Sequence, residues 1–152
     1  MGEIWAIIDK FLKTESQKKL WDGLFIKPVS GVTTMPFGTY ELIGRRVRRH
    51  RGWDFRATLN TPVKAANSGL VVYTSFLKAF GGTVVVDHGQ GIYTLYFHLS
   101  KILVSPGQLV ALGDILGLSG SSGIASGPHL HWGMSVHDVR IDPRQWVITV
   151  MP

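Results

Sequence analysis

The segment Gly127-Pro128-His129-Leu130-His131-Trp132 has the alternation of a β-strand. Successive side chains of a strand point to opposite faces, so His129 and His131 share one face and Leu130 points to the other. The segment therefore predicts two imidazoles about 6–7 Å apart on one side of a sheet. A site at this strand would draw its remaining groups from neighbouring segments.

Runs with strand character continue upstream, and no helical pattern interrupts them between residues 69 and 136. Strands joined by short turns, without helical crossovers, favour antiparallel pairing over β-α-β units. The turn His88-Gly89-Gln90-Gly91 predicts one hairpin in this series. The chain is therefore predicted to have an all-β core, an antiparallel sheet or a sandwich. The predicted strands are 69–74, 83–87, 92–99, 108–111, 115–118 and 129–136.

The N-terminal part of the chain has a different pattern. Apolar residues recur at helical spacing over residues 3–13, and Thr14 with Gln17 fits a capping box for a second short helix ending near Trp21. From Phe25 onward, turn-forming residues separate short strands. We therefore predict one or two short helices in an N-terminal segment, residues 1–24, followed by a single domain, residues 25–152.

Composition excludes several classes of protein. The 152 residues contain no cysteine, which excludes a disulfide scaffold, a thiol nucleophile and a cysteine-ligated metal site. No apolar run reaches the roughly 18 residues of a membrane span. The N-terminus is not a signal peptide, because Glu3 and Asp9 interrupt its apolar residues and no small-residue cleavage site follows. The chain is therefore expected to be cytoplasmic or a piece of a longer exported protein.

Positive charge is concentrated in one short stretch. The chain has a formal charge of +6, and part of its excess lies in an arginine cluster between residues 45 and 51. Such a cluster is either solvated or a contact for an anionic partner. No helix-turn-helix, RNA-binding or zinc-finger motif accompanies it, so we expect no nucleic-acid partner and consider a carboxylate-rich polymer instead. The arginine cluster consists of Arg45, Arg46, Arg48, Arg49 and Arg51.

A second group of chemically active residues lies in His50-Arg51-Gly52-Trp53-Asp54. In a straight strand the Cα atoms of His50 and Asp54 would be about 13 Å apart, so binding one metal would require a bend, which Gly52 permits. Together with His131, these residues would offer two imidazoles and a carboxylate. That is the ligand set of a catalytic zinc site with one open position.

His98 ends a run of aromatic and apolar residues. With strict alternation, His98 shares one strand face with Tyr96 and lies opposite Phe97. No His-Glu-x-x-His helix is present to supply a glutamate base, so His98 and His129 remain as groups that transfer protons near neutral pH. The glycine- and serine-rich segment 117–127 is predicted to form a wall beside the site.

Several motifs, in the same order along the chain, resemble those of the lysostaphin/LytM-type zinc endopeptidases, which cleave peptide cross-links in bacterial peptidoglycan. The likeness runs from about Phe25 to Trp146. The motifs that contain candidate residues are His50-x-x-x-Asp54, Tyr96-x-His98-Leu99-Ser100 and Ser126-Gly127-Pro128-His129-Leu130-His131-Trp132. Further similar segments are Met35-Pro36-Phe37-Gly38, Val86-Asp87-His88-Gly89-Gln90-Gly91 and Asp142-Pro143.

The resemblance implies a role for each of these positions. His50, Asp54 and His131 match the zinc ligands of the family, and His98 and His129 match its catalytic histidines. The implied activity is Zn²⁺-dependent hydrolysis of peptidoglycan peptides by an activated water, with the two histidines as base and oxyanion stabiliser in either order. The implied location is periplasmic or extracellular, at the cell wall, and other domains of a longer parent protein are expected partners.

Two alternatives remain open. A zinc-containing domain could bind peptidoglycan or activate other hydrolases without cleaving a bond, although all five site positions are intact. The repeat Val104-x-x-Gly107-x-x-Val110 resembles half of a biotinyl or lipoyl carrier domain, but no Met-Lys pair for modification is present. His88 and His137 match no functional position, and we predict a hairpin-turn residue and a surface turn residue.

Overall fold

The structure is a computed structural model that describes residues 6, 9–10, 12–13 and 17–151. Within the predicted first helix, residues 3–13, helical conformation is found at Ala6, Asp9, Lys10 and Leu12, and the other positions up to residue 11 lie outside the described residues. No helix in the described part of the chain is long and apolar enough to cross a membrane.

The second predicted helix does not form within residues 17–21, the part of it that the structure describes. This segment lies beside the sheet, where the Leu20 amide donates to the His88 carbonyl at 2.8 Å. A local helix there would compete with this contact for the same amide. Thr14, where that helix was expected to begin, lies outside the described residues.

Strands are the main regular structure of the described chain, and their pairing is antiparallel throughout. They are β1 (Thr33–Met35), β2 (Tyr40–Ile43), β3 (Arg46–Arg49), β4 (Trp53–Arg56), β5 (Pro62–Lys64), β6 (Gly69–Leu77), β7 (Gly81–Gly89), β8 (Ile92–Ile102), β9 (Leu109–Val110), β10 (Ile115–Ser119), β11 (His129–Val136) and β12 (Val139–Arg140). The main sheet has the order β1-β4-β11-β8-β7-β6-β9, with β10, β5 and β12 attached beside it, and β2 and β3 form a separate hairpin. The predicted antiparallel all-β core is confirmed.

The sequence pattern predicts β6 to β11, including the two-residue β9, and gives no bounds for β1 to β5 or β12. β6 to β11 correspond to the six predicted runs, whereas β1, β5 and β12 have only two or three residues. β3 has the sequence RVRR and is exposed along its length, so it has no buried alternation to detect. A short helix, α1 (Arg144–Ile148), is also absent from the prediction; it follows Pro143, and the Arg144 amide donates to the Asp142 carboxylate at 3.0 Å.

Both faces of the central strands are covered by apolar side chains. On β11, Leu130, Trp132 and Met134 enter the larger apolar cluster, so His129 and His131 lie on the opposite face. A smaller cluster lies on the histidine side, because Phe97 pairs with His131 across β8 and β11. The members of the smaller cluster are Leu12, Val85, Tyr93, Leu95 and Phe97.

His88 is a core residue, and its prediction as a hairpin-turn residue is wrong. It is a fully buried residue of β7, and only Gln90 and Gly91 form the turn. Its Nδ1 donates to the Ser68 carbonyl at 2.8 Å, and its Nε2 accepts from the Thr94 hydroxyl at 2.8 Å. These contacts use both ring nitrogens and hold His88 as a neutral imidazole. His137, by contrast, is the exposed turn residue that the sequence predicts.

The buried His88 predicts a pH-dependent stability. Burial lowers its pKa from 6.5 to about 4, so the unfolded chain takes up this proton first as the pH falls. The free energy of unfolding should therefore decrease between about pH 6.5 and pH 4, by about 3 kcal/mol from this residue. Urea unfolding of metal-free protein across this range measures the decrease. His88→Gln removes the titrating group, so the pH dependence of its free energy of unfolding should be smaller by the equivalent of about one proton. Equal pH dependence in the two proteins would contradict the assignment.

Candidate metal centre

Strand pairing brings the three predicted metal ligands together. His131 of β11 lies directly opposite Asp54 of β4, and His50 precedes the bend at Gly52 that leads into β4. Ligand atoms of these three residues all lie within 4.8 Å of one another. The chain therefore bends between His50 and Asp54, as it must if both residues are to bind one metal.

Asp54 lies between the two histidines. Its Oδ1 is 2.6 Å from Nδ1 of His131 and 3.2 Å from Nε2 of His50. Burial would raise the pKa of this carboxyl, but the hydrogen bond with His131 and the close approach of the His50 ring hold it well below its usual value. Burial lowers the pKa of His131. At neutral pH the cluster therefore offers an ionised carboxylate beside a neutral His131, the protonation state from which metal binding proceeds.

The environment of His50 fits a bound cation. Its Nε2 is buried and makes no hydrogen bond to any described residue, although it lies 3.2 Å from Oδ1 of Asp54. A buried ring nitrogen that faces a carboxylate without a hydrogen bond is costly unless a third group lies between them. Two imidazole nitrogens and one carboxylate oxygen are the ligands of a zinc site that keeps one position open.

Gly52 gives His131 the space that it occupies. A Cβ atom at Gly52 would lie 2.5 Å from Nε2 and 2.7 Å from Cε1 of His131, and 2.9 Å from the Trp132 carbonyl oxygen. Gly52 is not among the residues with positive φ, so its backbone conformation alone does not demand glycine. The bend was predicted from the sequence, but the reason for glycine is the close approach of the His131 ring.

The two remaining candidates, His98 and His129, lie next to each other beside this cluster. Their ring centroids are 4.8 Å apart, and Nε2 of His129 is 4.0 Å from Oδ2 of Asp54. Nδ1 of His98 donates to the Ser122 carbonyl at 2.8 Å, and Nδ1 of His129 donates to the Gly127 carbonyl at 2.9 Å. When neutral, each ring therefore carries its proton on Nδ1 and leaves Nε2 as a proton acceptor.

His98 reaches this position through a β-bulge, and the predicted strict alternation is wrong here. Gly82 of β7 pairs with Leu99 and Val84 pairs with Tyr96, so β8 carries one extra residue. His98 has a φ of 61°, and its amide donates to the Phe80 carbonyl. A bulge redirects a side chain. His98 therefore lies on the histidine side with Phe97, whereas Tyr96 and Leu99 both enter the larger apolar cluster.

The protonation of His98 suits proton transfer. Burial lowers its pKa, and the neighbouring His129 lowers it further, while the hydrogen bond to Ser122 acts in the opposite direction. A neutral His98 at physiological pH can accept a proton at Nε2 and release it later. The cluster thus combines a three-residue ligand set with an adjacent pair of imidazoles.

The glycine- and serine-rich segment lies beside the site, as its position in the sequence predicts. Ser122 supplies the carbonyl that holds His98, and its hydroxyl donates to the Leu99 carbonyl at 2.5 Å. Sequence reasoning identified the segment but not this serine. It also missed Glu41 of β2, whose carboxylate lies 3.6 Å from Nδ1 of His50. No motif marks Glu41, because the hairpin brings it close from nine positions away.

Comparisons with known proteins agree with this geometry. The family model "Peptidase family M23" matches residues 48–143, which include all five candidate residues. The peptidoglycan DD-endopeptidase ShyA of Vibrio cholerae serotype O1 is 45% identical over 94 residues, which is 62% of this chain and 22% of ShyA. The chain thus spans about a fifth of that relative's length.

Two solved structures of peptidases also resemble this chain. A zinc-containing peptidase from Vibrio cholerae has a TM-score of 0.78 and 30% identity, covering 87% of this chain and 41% of that chain. The catalytic domain of lysostaphin from Staphylococcus simulans has a TM-score of 0.71 and 31% identity, covering 78% and 93%. Sequence motifs, sheet topology and the convergent histidine and aspartate side chains together show that the chain belongs to peptidase family M23.

Proposed function

We propose that this chain is a zinc-dependent endopeptidase that hydrolyses peptide cross-links of bacterial peptidoglycan. The observation that carries the proposal is the convergence of two sets of side chains on one face of the sheet. His50, Asp54 and His131 supply a ligand set. His98 and His129 supply an adjacent pair of rings whose Nδ1 atoms are already occupied by backbone carbonyls.

The proposed mechanism divides the work between these two sets. When bound, zinc supplies a Lewis acid that polarises a carbonyl and lowers the pKa of water at the open position. Asp54 contributes one negative charge, so a divalent ion keeps a net positive charge at the site. One of His98 and His129 would accept the proton of the attacking water at Nε2, and the other, protonated at Nε2, would donate to the developing oxyanion. Either ring fits either role.

The proposed class of substrate is taken from the relative ShyA. ShyA is named as a peptidoglycan DD-endopeptidase, and we propose the same class of bond here, a cross-link between two D-configured centres. Among the peptide bonds that such enzymes cleave, we therefore propose one that involves D-alanine and not one between two glycines. We also propose that the protein acts in the periplasm or outside the cell, where peptidoglycan is found, as the catalytic part of a longer protein.

The arginine cluster fits a substrate rich in carboxylates, but its members differ in availability. Arg48 pairs with Glu41, with Nε 3.2 Å from Oε2, and Arg49 lies over the Tyr40 ring. A cleft of about 690 Å³ beside His50 is lined by Arg49, Arg51 and Arg140, together with the carboxylates of Asp9 and Asp138. We propose that Arg49 and Arg51 face the substrate, whereas Arg48 acts within the protein.

We also propose that the peptidase domain comprises residues 25–152 and that residues 1–24 are a separate N-terminal segment, of which Leu12 and Trp21 pack on the domain. Leu12 is buried in the smaller apolar cluster with Val85 and Tyr93 of the sheet. Trp21 contacts the ring of Trp146 edge-on, with centroids 5.8 Å apart. These contacts favour an N-terminal segment that packs on the domain.

Metal removal tests the proposed function. Purified peptidoglycan sacculi should lose turbidity with zinc-loaded protein, because cleaved cross-links release soluble fragments. Dialysis against a chelator should abolish solubilisation, and one equivalent of zinc should restore it. Protein that binds zinc stoichiometrically without releasing fragments would instead be a binding or activating domain.

A further inference from the structure

Glu41 occupies a defined position between the β2–β3 hairpin and the ligand cluster. It lies opposite Arg48 in the hairpin register, and Arg48 Nε donates to its Oε2 at 3.2 Å. Its other oxygen, Oε1, lies 3.6 Å from Nδ1 of His50. The side chains of His50 and Glu41 are only 5% and 18% exposed, so their interaction is largely shielded from water.

The two nitrogens of His50 therefore face two different carboxylates. Nε2 is the atom near Asp54, so it is the nitrogen available to a metal. A metal-bound neutral imidazole carries its proton on the other nitrogen, here Nδ1, and Glu41 is the group that faces this N–H. A carboxylate in this position fixes the ring orientation and tautomer, and makes the ligand nitrogen more basic.

Backbone contacts restrict where His50 can move. Its amide donates to the Thr39 carbonyl at 2.7 Å, and its carbonyl accepts from the Gly38 amide at 2.8 Å. These bonds join His50 to the chain just before β2, so the hairpin and the ligand are held as one unit. They fix the backbone of His50 but not the rotation of its ring, for which Glu41 is the available partner.

We propose that Glu41 is a positioning residue that orients His50 for zinc and raises its affinity for the metal. The proposal gives the hairpin a role at the site, and it gives Arg48, which is half-exposed and donates to Glu41, a role in holding that carboxylate. It rests on the proposed zinc site, but its test measures metal binding and does not depend on which bond is cleaved.

The test compares zinc affinities by competition with a chromophoric chelator at fixed pH and salt. Glu41→Ala should weaken zinc binding by about 10–100-fold, the usual cost of losing such a partner. Glu41→Gln keeps an acceptor for the Nδ1 proton but loses the charge, so its loss should be smaller. In the zinc-loaded protein, nitrogen-15 NMR should show the Nδ1–H of His50, with faster proton exchange in Glu41→Ala.

Leu42→Ala is the matched control, because it truncates the neighbouring side chain, which is 73% exposed, in the same strand. It should leave zinc affinity unchanged. Wild-type affinity in Glu41→Ala, or an equal loss in Leu42→Ala, would overturn the proposal, the second by showing that only hairpin integrity matters. If the wild-type protein itself bound no zinc, the proposed function would fail instead.

Discussion

Alanine at His98 is expected to lower the rate of cross-link cleavage by about 10²–10⁴-fold, the usual contribution of a general acid–base group, while the protein still binds zinc. His98 contacts the Ser122 carbonyl and lies beside His129, and it is not part of the ligand cluster. Alanine at His131 should remove both zinc binding and cleavage, because it deletes a ligand that lies 2.6 Å from Asp54. Metal analysis and turnover, measured on the same samples, separate the two effects.

The pair of variants provides its own control. Both change a histidine on the same side of the sheet, so a general loss of folding would affect them alike. Circular dichroism and urea unfolding of the metal-free proteins check this. If both variants lost zinc equally, the division between ligand and proton-transfer residues would be wrong.

Gly52→Ala is expected to abolish zinc binding at micromolar metal, although it adds a single methyl group outside the ligand set. The new Cβ would overlap the His131 ring. The Trp132 carbonyl, which belongs to the same strand as His131, lies too close for the backbone at residue 52 to move away. His131 must therefore rotate or shift, and a displacement of this size removes it from Asp54. Calorimetric titration with zinc measures the loss, and cleavage should disappear with it.

Gly133→Ala is a matched control for this prediction. Gly133 lies two residues after His131 on β11, and a Cβ there would meet its nearest atom, Cδ1 of Leu95, at 3.6 Å, an ordinary contact distance. Zinc binding should survive this change. Full zinc affinity in Gly52→Ala would show that the ring of His131 has room that the structure does not indicate.

The sequence predicts the long strands and the convergence of the three candidate metal ligands, because both leave patterns that a single strand reveals. His129-Leu130-His131 alternates as a half-buried strand must, and β11 has those faces. The bend between His50 and Asp54 follows from the reach of the chain and the presence of Gly52. These features depend on local geometry, so they can be read from neighbouring residues.

Features that depend on partners elsewhere in the fold could not be predicted in this way. The bulge at His98 exists because β8 has one more residue than β7 between two paired positions, and neither strand alone shows it. His88 lies next to a turn in sequence, but Phe25, Ser68 and Thr94 bury it from three other segments. Glu41 lies in an exposed hairpin, and only the folded chain brings it to His50.

The most direct test of the central claim is digestion of one purified, cross-linked muropeptide dimer, followed by mass spectrometry. Zinc-loaded protein should convert the dimer into two monomers whose masses sum to that of the dimer plus one water. Chelator-treated protein should leave it intact until zinc is returned. An uncleaved dimer in the presence of protein with its zinc bound would contradict the account.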